Sequence, residues 1–268
     1  MAISFEKNSF KKRLSGMFAV DARRMLTSPL FYLMIGISLV VPILILVMTT
    51  MMDGSVSVNP QTGEETVMEG FKSVWQIIGT LSGDASASMS MDITSMCNIN
   101  MMFFGIAVFV CIFVGDDFRS GYSKNLFTVR PKKGDYIISK TIVCFIAGAI
   151  FLVMFFVGSM LGGAISGLPF ALEGVTIYNI VMSMLSKIAV SAIFVSIYVL
   201  ASVVAKQKLW LSLVLSLGVG MLFFMMVPMI TPLNSTIMNL VLCLVGSVIF
   251  SVAIGFASKA IISKTSLV

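Results

Sequence analysis

Long apolar runs, each nearly free of charged residues, follow one another along the chain with polar connections between them. A helix needs about 20 apolar residues to cross a hydrocarbon core about 30 Å thick, and six runs approach this length. They lie at residues 30–50, 98–114, 141–165, 188–205, 209–230 and 238–256. The pattern predicts an all-α polytopic membrane protein, with a single six-helix transmembrane domain over residues 30–268.

Composition supports the same class of protein. Of the residues in the chain, 58% are hydrophobic and 11% are charged, and the mean hydropathy is +1.03. Such a chain has too little polar surface to cover a water-soluble globule. The first apolar run follows the polar residues 1–29 and is too long for the core of a signal peptide, so we expect it to remain as a span.

Positive charge is concentrated in alternate connections. Sixteen of the 18 Lys and Arg residues lie before the first run, between the second and third, between the fourth and fifth, or after the sixth. The other side has only Lys72 and Lys187, but seven of the 12 acidic residues. Because cytoplasmic connections are rich in Lys and Arg, both termini are predicted to face the cytoplasm. We expect Lys187 near the outer surface, where its side chain can reach water.

The basic character of the chain therefore reflects its membrane topology. No cytoplasmic piece is long enough to fold into a basic domain, so the sequence predicts no nucleic-acid partner.

Residues 10–26 predict an amphipathic helix within the cytoplasmic segment 1–29. Apolar side chains recur there at helical spacing, and most of the basic residues lie away from this stripe; the stripe consists of Phe10, Leu14, Met17, Phe18 and Met25. Such a helix lies in the inner membrane interface and is attracted to anionic lipid. A basic anchor with no further role remains an alternative. Asp21 interrupts the stripe and is spaced to pair with Arg24 one turn later.

The longest stretch outside the membrane is the predicted outer loop, residues 51–97. Within it, residues 68–81 predict a short helix that carries Phe71, Val74, Trp75 and Ile78 on one face. We expect Trp75 to act as an anchor at the membrane interface, where the amphipathic indole ring is favoured.

Residues 115–140 form a charged interval between the second and third runs. Asp116 and Asp117 favour the start of a new helix, and Pro131 blocks its continuation. Residues 132–134 predict a turn, and Asp135 is suited to cap the next span. Apolar groups within the interval are supplied by Leu126, Phe127 and Val129. The pattern predicts a short helix across the mouth of the bundle that meets a soluble partner; a basic loop that only sets topology is the alternative.

This interval, DDFRSGYSKNLFTVRPKKGDYIISK, together with the basic N-terminal FAVDARRML and the six-span layout, resembles type-2 ABC exporter permeases. The likeness is closest to permeases of the lantibiotic-immunity and bacitracin-resistance kind. The chain has Asp117 and Gly121-Tyr122 where many such permeases have a Glu and a Gly-Thr pair.

The resemblance implies a permease subunit of the bacterial plasma membrane that exports a hydrophobic or amphipathic molecule, such as an antimicrobial peptide. It also implies a second permease subunit, identical or related, and a separate cytoplasmic ATPase that docks on the interval 115–140. The residues implied at or near the docking surface are Asp117, Gly121, Asn125, Leu126, Arg130 and Lys140, and we assign the apolar Phe127 to the same docking surface as Leu126.

Motifs for catalysis within the chain are absent. The sequence has no G-x-x-x-x-G-K-[ST], H-E-x-x-H or G-x-S-x-G, no histidine and no C-x-x-C. We therefore predict no catalytic site, no cofactor and no metal, and expect ATP hydrolysis in a partner. The spans also lack paired carboxylates, which disfavours an ion-coupled carrier. A self-sufficient channel or carrier, and a membrane sensor that binds ligand through residues 51–97, remain the alternatives.

Small and flexible apolar residues suggest where helices pack and where a substrate passes. Two consecutive G-x-x-x-G pairs at the end of the third run permit close helix contact and favour packing within the bundle over dimerisation; they comprise Gly158, Gly162, Gly163 and Gly167. Methionines near the outer ends of spans are candidates for a substrate path, although filling of packing gaps is the simpler explanation; they include Met48, Met101, Met102, Met225 and Met226. Pro228 and Pro232 are expected to break the fifth run at its outer end.

Overall fold

The computed structural model describes residues 10–58, 65–67, 70–81, 97–129, 133–224 and 226–264. Its helices are α1 (Phe10–Thr27), α2 (Pro29–Met52), α3 (Met102–Arg119), α4 (Tyr122–Val129), α5 (Lys133–Ser166), α6 (Ile177–Ala205), α7 (Leu209–Phe224), α8 (Val227–Ile230) and α9 (Ile237–Lys264). Two 3₁₀ turns, Val74–Ile77 and Ile99–Met101, and two short strands complete the described elements.

Among the described helices, five are long and apolar enough to cross a membrane: α2, α3 with the turn before it, α5, α6 and α9. The fifth predicted span, residues 209–230, corresponds to the shorter apolar helix α7 followed by the separate turn of helix α8. Pro228 lies in the first turn of α8, where its missing N–H costs nothing, so the break occurs where the prolines predicted it. The all-α polytopic class is thus confirmed.

A small β-hairpin was not foreseen. Strands β1 (Val56–Val58) and β2 (Glu65–Val67) pair antiparallel beyond the end of α2, with Val56 opposite Val67. They lie in the predicted outer loop and leave the helical class unchanged.

Helix ends gather at two opposite ends of the bundle. At one, which we call the basic end, Arg13 Nε lies 3.0 Å from Asp135 Oδ2, and Lys133 Nζ donates to the Ile262 carbonyl at 3.0 Å. These contacts join α1, the start of α5 and the end of α9. At the opposite end, Val74 N donates to the Pro169 carbonyl at 3.2 Å. The predicted outer loop therefore packs on the connection between α5 and α6.

Glycines let α5 approach α2 very closely. A Cβ added at Gly158 would overlap the Leu39 carbonyl oxygen, and one at Gly162 would lie 2.8 Å from Ile43 Cα. A Cβ at the adjacent Gly163 would overlap the side chain of Val74. Gly167, just beyond α5, has φ +71, a left-handed conformation that glycine adopts without strain. The first three glycines therefore pack against elements of the same chain.

The helix predicted over residues 68–81 is only a 3₁₀ turn in the described part of this range. Its apolar side chains enter the core instead of facing lipid, because Val74 and Ile77 are fully buried. Trp75 stacks on Phe156 with ring centroids 5.9 Å apart, and its Nε1–H donates to the Phe170 carbonyl at 2.6 Å. The prediction that Trp75 anchors at the membrane interface is wrong, because tertiary contacts satisfy both its ring and its N–H.

Candidate functional site

The first residues of the charged interval are the last turn of α3, and no new helix starts at Asp116 and Asp117 as the sequence predicted. Helix α3 continues through Asp116 and Asp117 to Arg119. Ser120 Oγ donates to the Asp116 carbonyl at 2.6 Å, and Gly121 then takes φ +74. The left-handed glycine turns the chain, and α4 follows at once. The expectation of a helix start at the two acids is wrong, because Asp117 is buried with cationic partners and the helix tolerates it.

Helix α4 has two different faces. Its inner face is formed by buried Ser123 and half-buried Leu126 and Phe127, both of which pack against the core. The Phe127 ring meets the Tyr136 ring edge-on, with centroids 5.4 Å apart. The outer face is polar and exposed; it consists of Lys124, Asn125 and Thr128. We call these three residues the polar face of α4.

Beneath α4, four charged side chains form what we call the buried ion cluster: Asp21, Arg24, Asp117 and Lys140. Arg24 Nη1 lies 2.6 Å from Asp117 Oδ1, and Lys140 Nζ lies 2.7 Å from Asp117 Oδ2. Lys140 Nζ also lies 2.9 Å from Asp21 Oδ1. Lys140 and Asp117 are fully buried and Asp21 is 1% exposed. Two carboxylates and two cations thus balance one another in one place.

Neighbouring side chains orient the cluster. Tyr136 OH donates to Asp117 Oδ2 at 2.9 Å, and Ser139 Oγ donates to Asp21 Oδ2 at 2.6 Å. Lys140 Nζ lies 4.2 Å from the centre of the Phe113 ring. Aromatic faces attract such cations, so the packing supports the ion pairs. These contacts hold each carboxylate in a single orientation.

Arg24 connects the cluster to α4. Its guanidinium carbon lies 4.4 Å from the centre of the ring of Tyr122, the first residue of α4. Burial opposes the charge of this guanidinium, yet the attraction and hydrogen bond of Asp117 leave the pKa of Arg24 raised above its ordinary value. The side chain therefore stays cationic and joins α1, α3 and the start of α4.

Helix α1 has the predicted extent, but its charged side chains pair with residues other than those that the sequence predicted. Asp21 belongs to the buried face together with Met17 and Met25, and it pairs with Lys140. The expected pair between Asp21 and Arg24 is wrong: Arg24 pairs with Asp117. Spacing along one helix shows only neighbours one turn away, whereas the actual partners belong to helices that pack on α1 from elsewhere in the chain.

The residues implied for docking occupy three kinds of position. Asp117 and Lys140 are buried and cannot contact a partner in this arrangement. Gly121 forms the turn before α4, Asn125 is exposed, and Leu126 and Phe127 are half-buried. Arg130 lies outside the described residues. Sequence reasoning missed Tyr136 and Ser139 as supports of the cluster, and the only available signal was the presence of charged residues within apolar stripes.

The methionines proposed for a path are scattered at the opposite end. Met48 and Met226 are 58% and 54% exposed, Met101 is 39% exposed, and Met102 is buried. Met225 lies outside the described residues. Among the residues that the structure describes, no three Cys, Asp or Glu side chains converge in a way that could hold a metal ion.

Lys187 does not reach water as the sequence suggested. It is fully buried within α6, and its Nζ donates to Thr231 Oγ1 at 2.8 Å. The expectation of an exposed, snorkelling side chain is wrong, because the connection between α8 and α9 covers the ammonium.

Apolar helices of spanning length, a short amphipathic helix between two of them and a second amphipathic helix at the basic end define a polytopic membrane protein. The sequence model of the ABC-2 family transporter proteins matches residues 23–223, more than half of the chain. The chain belongs to this family and is a permease subunit of an ABC transporter. The matched region includes α4, Arg24, Asp117 and Lys140. No curated protein matches the chain, and no solved structure matches it.

Proposed function

We propose that this permease exports a hydrophobic or amphipathic molecule, such as an antimicrobial peptide, across the bacterial plasma membrane. The energy comes from a separate ATPase subunit that docks on α4 from the cytoplasm. The observation that carries the proposal is the polar face of α4, which is exposed at the basic end while the opposite face of the same helix packs on the core.

An amphipathic helix seated on a membrane bundle has its inner face committed to the protein. Its outer face is then available to a soluble partner, and Lys124 gives that face a positive charge suited to an acidic groove. Leu126 and Phe127 act from below, by fixing the tilt of α4. This division assigns direct contact to the polar face and a positioning role to the two apolar residues.

The buried ion cluster is the mechanical link in this proposal. It ties α1, α3 and α5 together directly beneath α4, and the contact between Arg24 and Tyr122 extends it to α4 itself. A displacement of α4 by the ATPase therefore moves the ends of two spans at once. Asp117 and Lys140 serve transport through this coupling and not through contact with the partner.

A second permease subunit completes the transport path in our proposal. A single chain has broad exposed apolar faces on α2 and α9. Only 28% and 11% of the residues in the apolar stretches of these two helices are buried. Lipid covers part of this area, and a second copy or a related permease covers the remainder. The exposed methionines Met48, Met101 and Met226 lie at the opposite end, where flexible side chains suit varied amphipathic ligands.

The docking proposal is tested by the double variant Lys124→Glu/Asn125→Ala. It alters the exposed polar face and leaves the buried contacts of α4 in place. Co-purification from the native host should lose the ATPase subunit, and ATP hydrolysis by the reconstituted complex should fall at least tenfold, because charge reversal opposes the complementary surface.

The matched control is Lys208→Glu/Gln207→Ala, which makes the same kind of change in the exposed turn between α6 and α7. It should retain the ATPase and its activity. Equal retention of the ATPase by the α4 variant and this control would rule out α4 as the docking site.

A further inference from the structure

Lys187 is a fully buried lysine whose ammonium donates only to neutral acceptors among the residues that the structure describes. Its Nζ is surrounded by three neutral oxygens: Thr231 Oγ1 at 2.8 Å, the Thr231 carbonyl at 3.2 Å and Asn100 Oδ1 at 3.4 Å. No Asp or Glu that the structure describes forms an ion pair with it. A charged side chain inside a membrane bundle is costly and is retained where it has a function.

Asn100, next to Lys187, has a buried amide donor without an acceptor. The residue is fully buried, its Oδ1 is occupied by Lys187, and its Nδ2 has no hydrogen-bond partner. A buried donor that has lost water and gained no acceptor is unfavourable. A single oxyanion between the two side chains would neutralise the ammonium and accept from the amide.

The backbone at this position is interrupted. Helix α8 ends at Ile230 and is followed by its capping residue Thr231, whose carbonyl and hydroxyl oxygens both accept from Lys187. In membrane transporters, discontinuous helices place polar backbone groups at the substrate site, and irregular backbone persists only where protein or a cavity covers it. Capping of α8 by Lys187 accounts for the bonds to Thr231 but leaves the Asn100 donor unexplained.

Gly79 lies on the third side of the ammonium. A Cβ at this position would lie 3.4 Å from Leu233 Cδ1 and 3.8 Å from both Lys187 Nζ and the Thr231 carbonyl oxygen, so the glycine leaves space for no more than one methyl-sized group beside the ammonium. Lys187 and Asn100 have no exposed area, so the site is closed in this structure. Access for a ligand requires the connection after α8 to move away from α6.

We propose that Lys187 and Asn100 bind the anionic group, a carboxylate or a phosphate, of an amphipathic substrate. The proposal rests on the transport function proposed above, because it names the chemistry by which the permease recognises its cargo. The ammonium supplies the charge and one donor, which the anion takes over from one of the three neutral oxygens. Asn100 Nδ2 supplies the second donor. The hydrocarbon part of the ligand lies among the apolar helices.

The test is equilibrium binding to the permease alone, in nanodiscs of phosphatidylcholine, with empty nanodiscs subtracted. The probes are N-dodecanoylglycine, its uncharged amide N-dodecanoylglycinamide, and acetate. The wild type should bind the acid about 10- to 100-fold more tightly than the amide, the range expected for one hydrogen bond to a charged group. Lys187→Met, similar in length but uncharged, should bind both equally.

Two further variants separate a ligand site from a structural role. Lys208→Met removes an exposed lysine elsewhere and should keep the preference for the acid. Asn100→Asp places an internal carboxylate where Oδ1 now meets Lys187; it should abolish the preference while raising the thermal unfolding temperature. A lysine that only caps α8 predicts no preference for the acid in any variant.

Equal binding of acid and amide by the wild type, or a preference retained in Lys187→Met, would overturn the proposal. If acetate displaces N-dodecanoylglycine from the wild type at the same concentrations, and Lys187→Met does not bind acetate, the anion site is supported and its ligands are small free anions. Because no ATPase is present and α4 is unchanged, this result is independent of the docking test.

Discussion

Asp117 is the residue on which most contacts of the basic end converge. Its two carboxylate oxygens accept from Arg24 and Tyr136 and form an ion pair with Lys140, and the side chain has no exposed area. A buried ion pair gains little over apolar packing, but loss of one partner leaves an uncompensated buried charge. The cluster therefore specifies how α1, α3 and α5 meet more than it adds to stability.

This pairing predicts a non-additive mutant cycle. Lys140→Met leaves Asp21 without a cation, and Asp21→Asn leaves Lys140 with one carboxylate where it had two. Lys140→Met should destabilise by about 3–5 kcal/mol, the usual cost of a broken buried pair. The double variant removes opposite charges, keeps the pair of Arg24 with Asp117, and should cost clearly less than the sum. The loss of stability of each variant is measured by thermal unfolding of the purified permease. If the loss in the double variant equals the sum of the two single losses, the pairing of Asp21 with Lys140 is contradicted.

At the scale of elements, the fold depends on how closely α5 approaches α2. Gly158 and Gly162 lie one turn apart and face the backbone of α2. In a membrane no hydrophobic driving force draws helices together, so close backbone packing supplies much of the association energy. The G-x-x-x-G spacing predicted close contact, but only the packed structure identifies α2 and Val74 as the elements contacted.

Gly158→Ala should therefore separate α5 from α2, because even a methyl group overlaps the Leu39 carbonyl. Overpacking of this kind costs about 1–3 kcal/mol. The control is Gly218→Ala in α7, an exposed position with no neighbour within 4 Å, where alanine should be neutral or slightly stabilising. The thermal unfolding temperatures of the two variants in nanodiscs test this; equal values would show that the contact does not matter.

At the scale of the whole molecule, the distribution of charge and the packing of the two bundle ends are both consistent with a permease subunit whose basic end faces the cytoplasm. The part of the outer loop that the structure describes at residues 70–81 is built into the core, which disfavours a free ligand-binding domain there. Members of the ABC-2 family work with an ATPase subunit, so membership of this family disfavours a self-sufficient channel. The orientation of the bundle in the membrane remains a prediction from the distribution of Lys and Arg.

Labelling with a membrane-impermeant maleimide tests this orientation. In intact cells, Glu173→Cys at the opposite end should react rapidly, and Gln207→Cys at the basic end should react only after permeabilisation, because the opposite end is expected to face outward. The unsubstituted chain is the control. Its Cys97 should react slowly, since burial raises the pKa of this thiol and lowers the fraction of reactive thiolate at neutral pH. The reverse pattern would invert the topology.

The sequence by itself determined the membrane class, the extent of α1, the approximate positions of the spans, the break near Pro228 and the presence of a short helix between α3 and α5. These features follow from apolar run length, helical periodicity and helix-breaking residues, which act over a few turns. Only the tertiary structure decided that Asp21 pairs with Lys140, that Trp75 is packed inside and that Lys187 is buried beside Asn100. These pairings join residues far apart in the chain, and their free energy depends on which groups burial brings together, which no local pattern specifies.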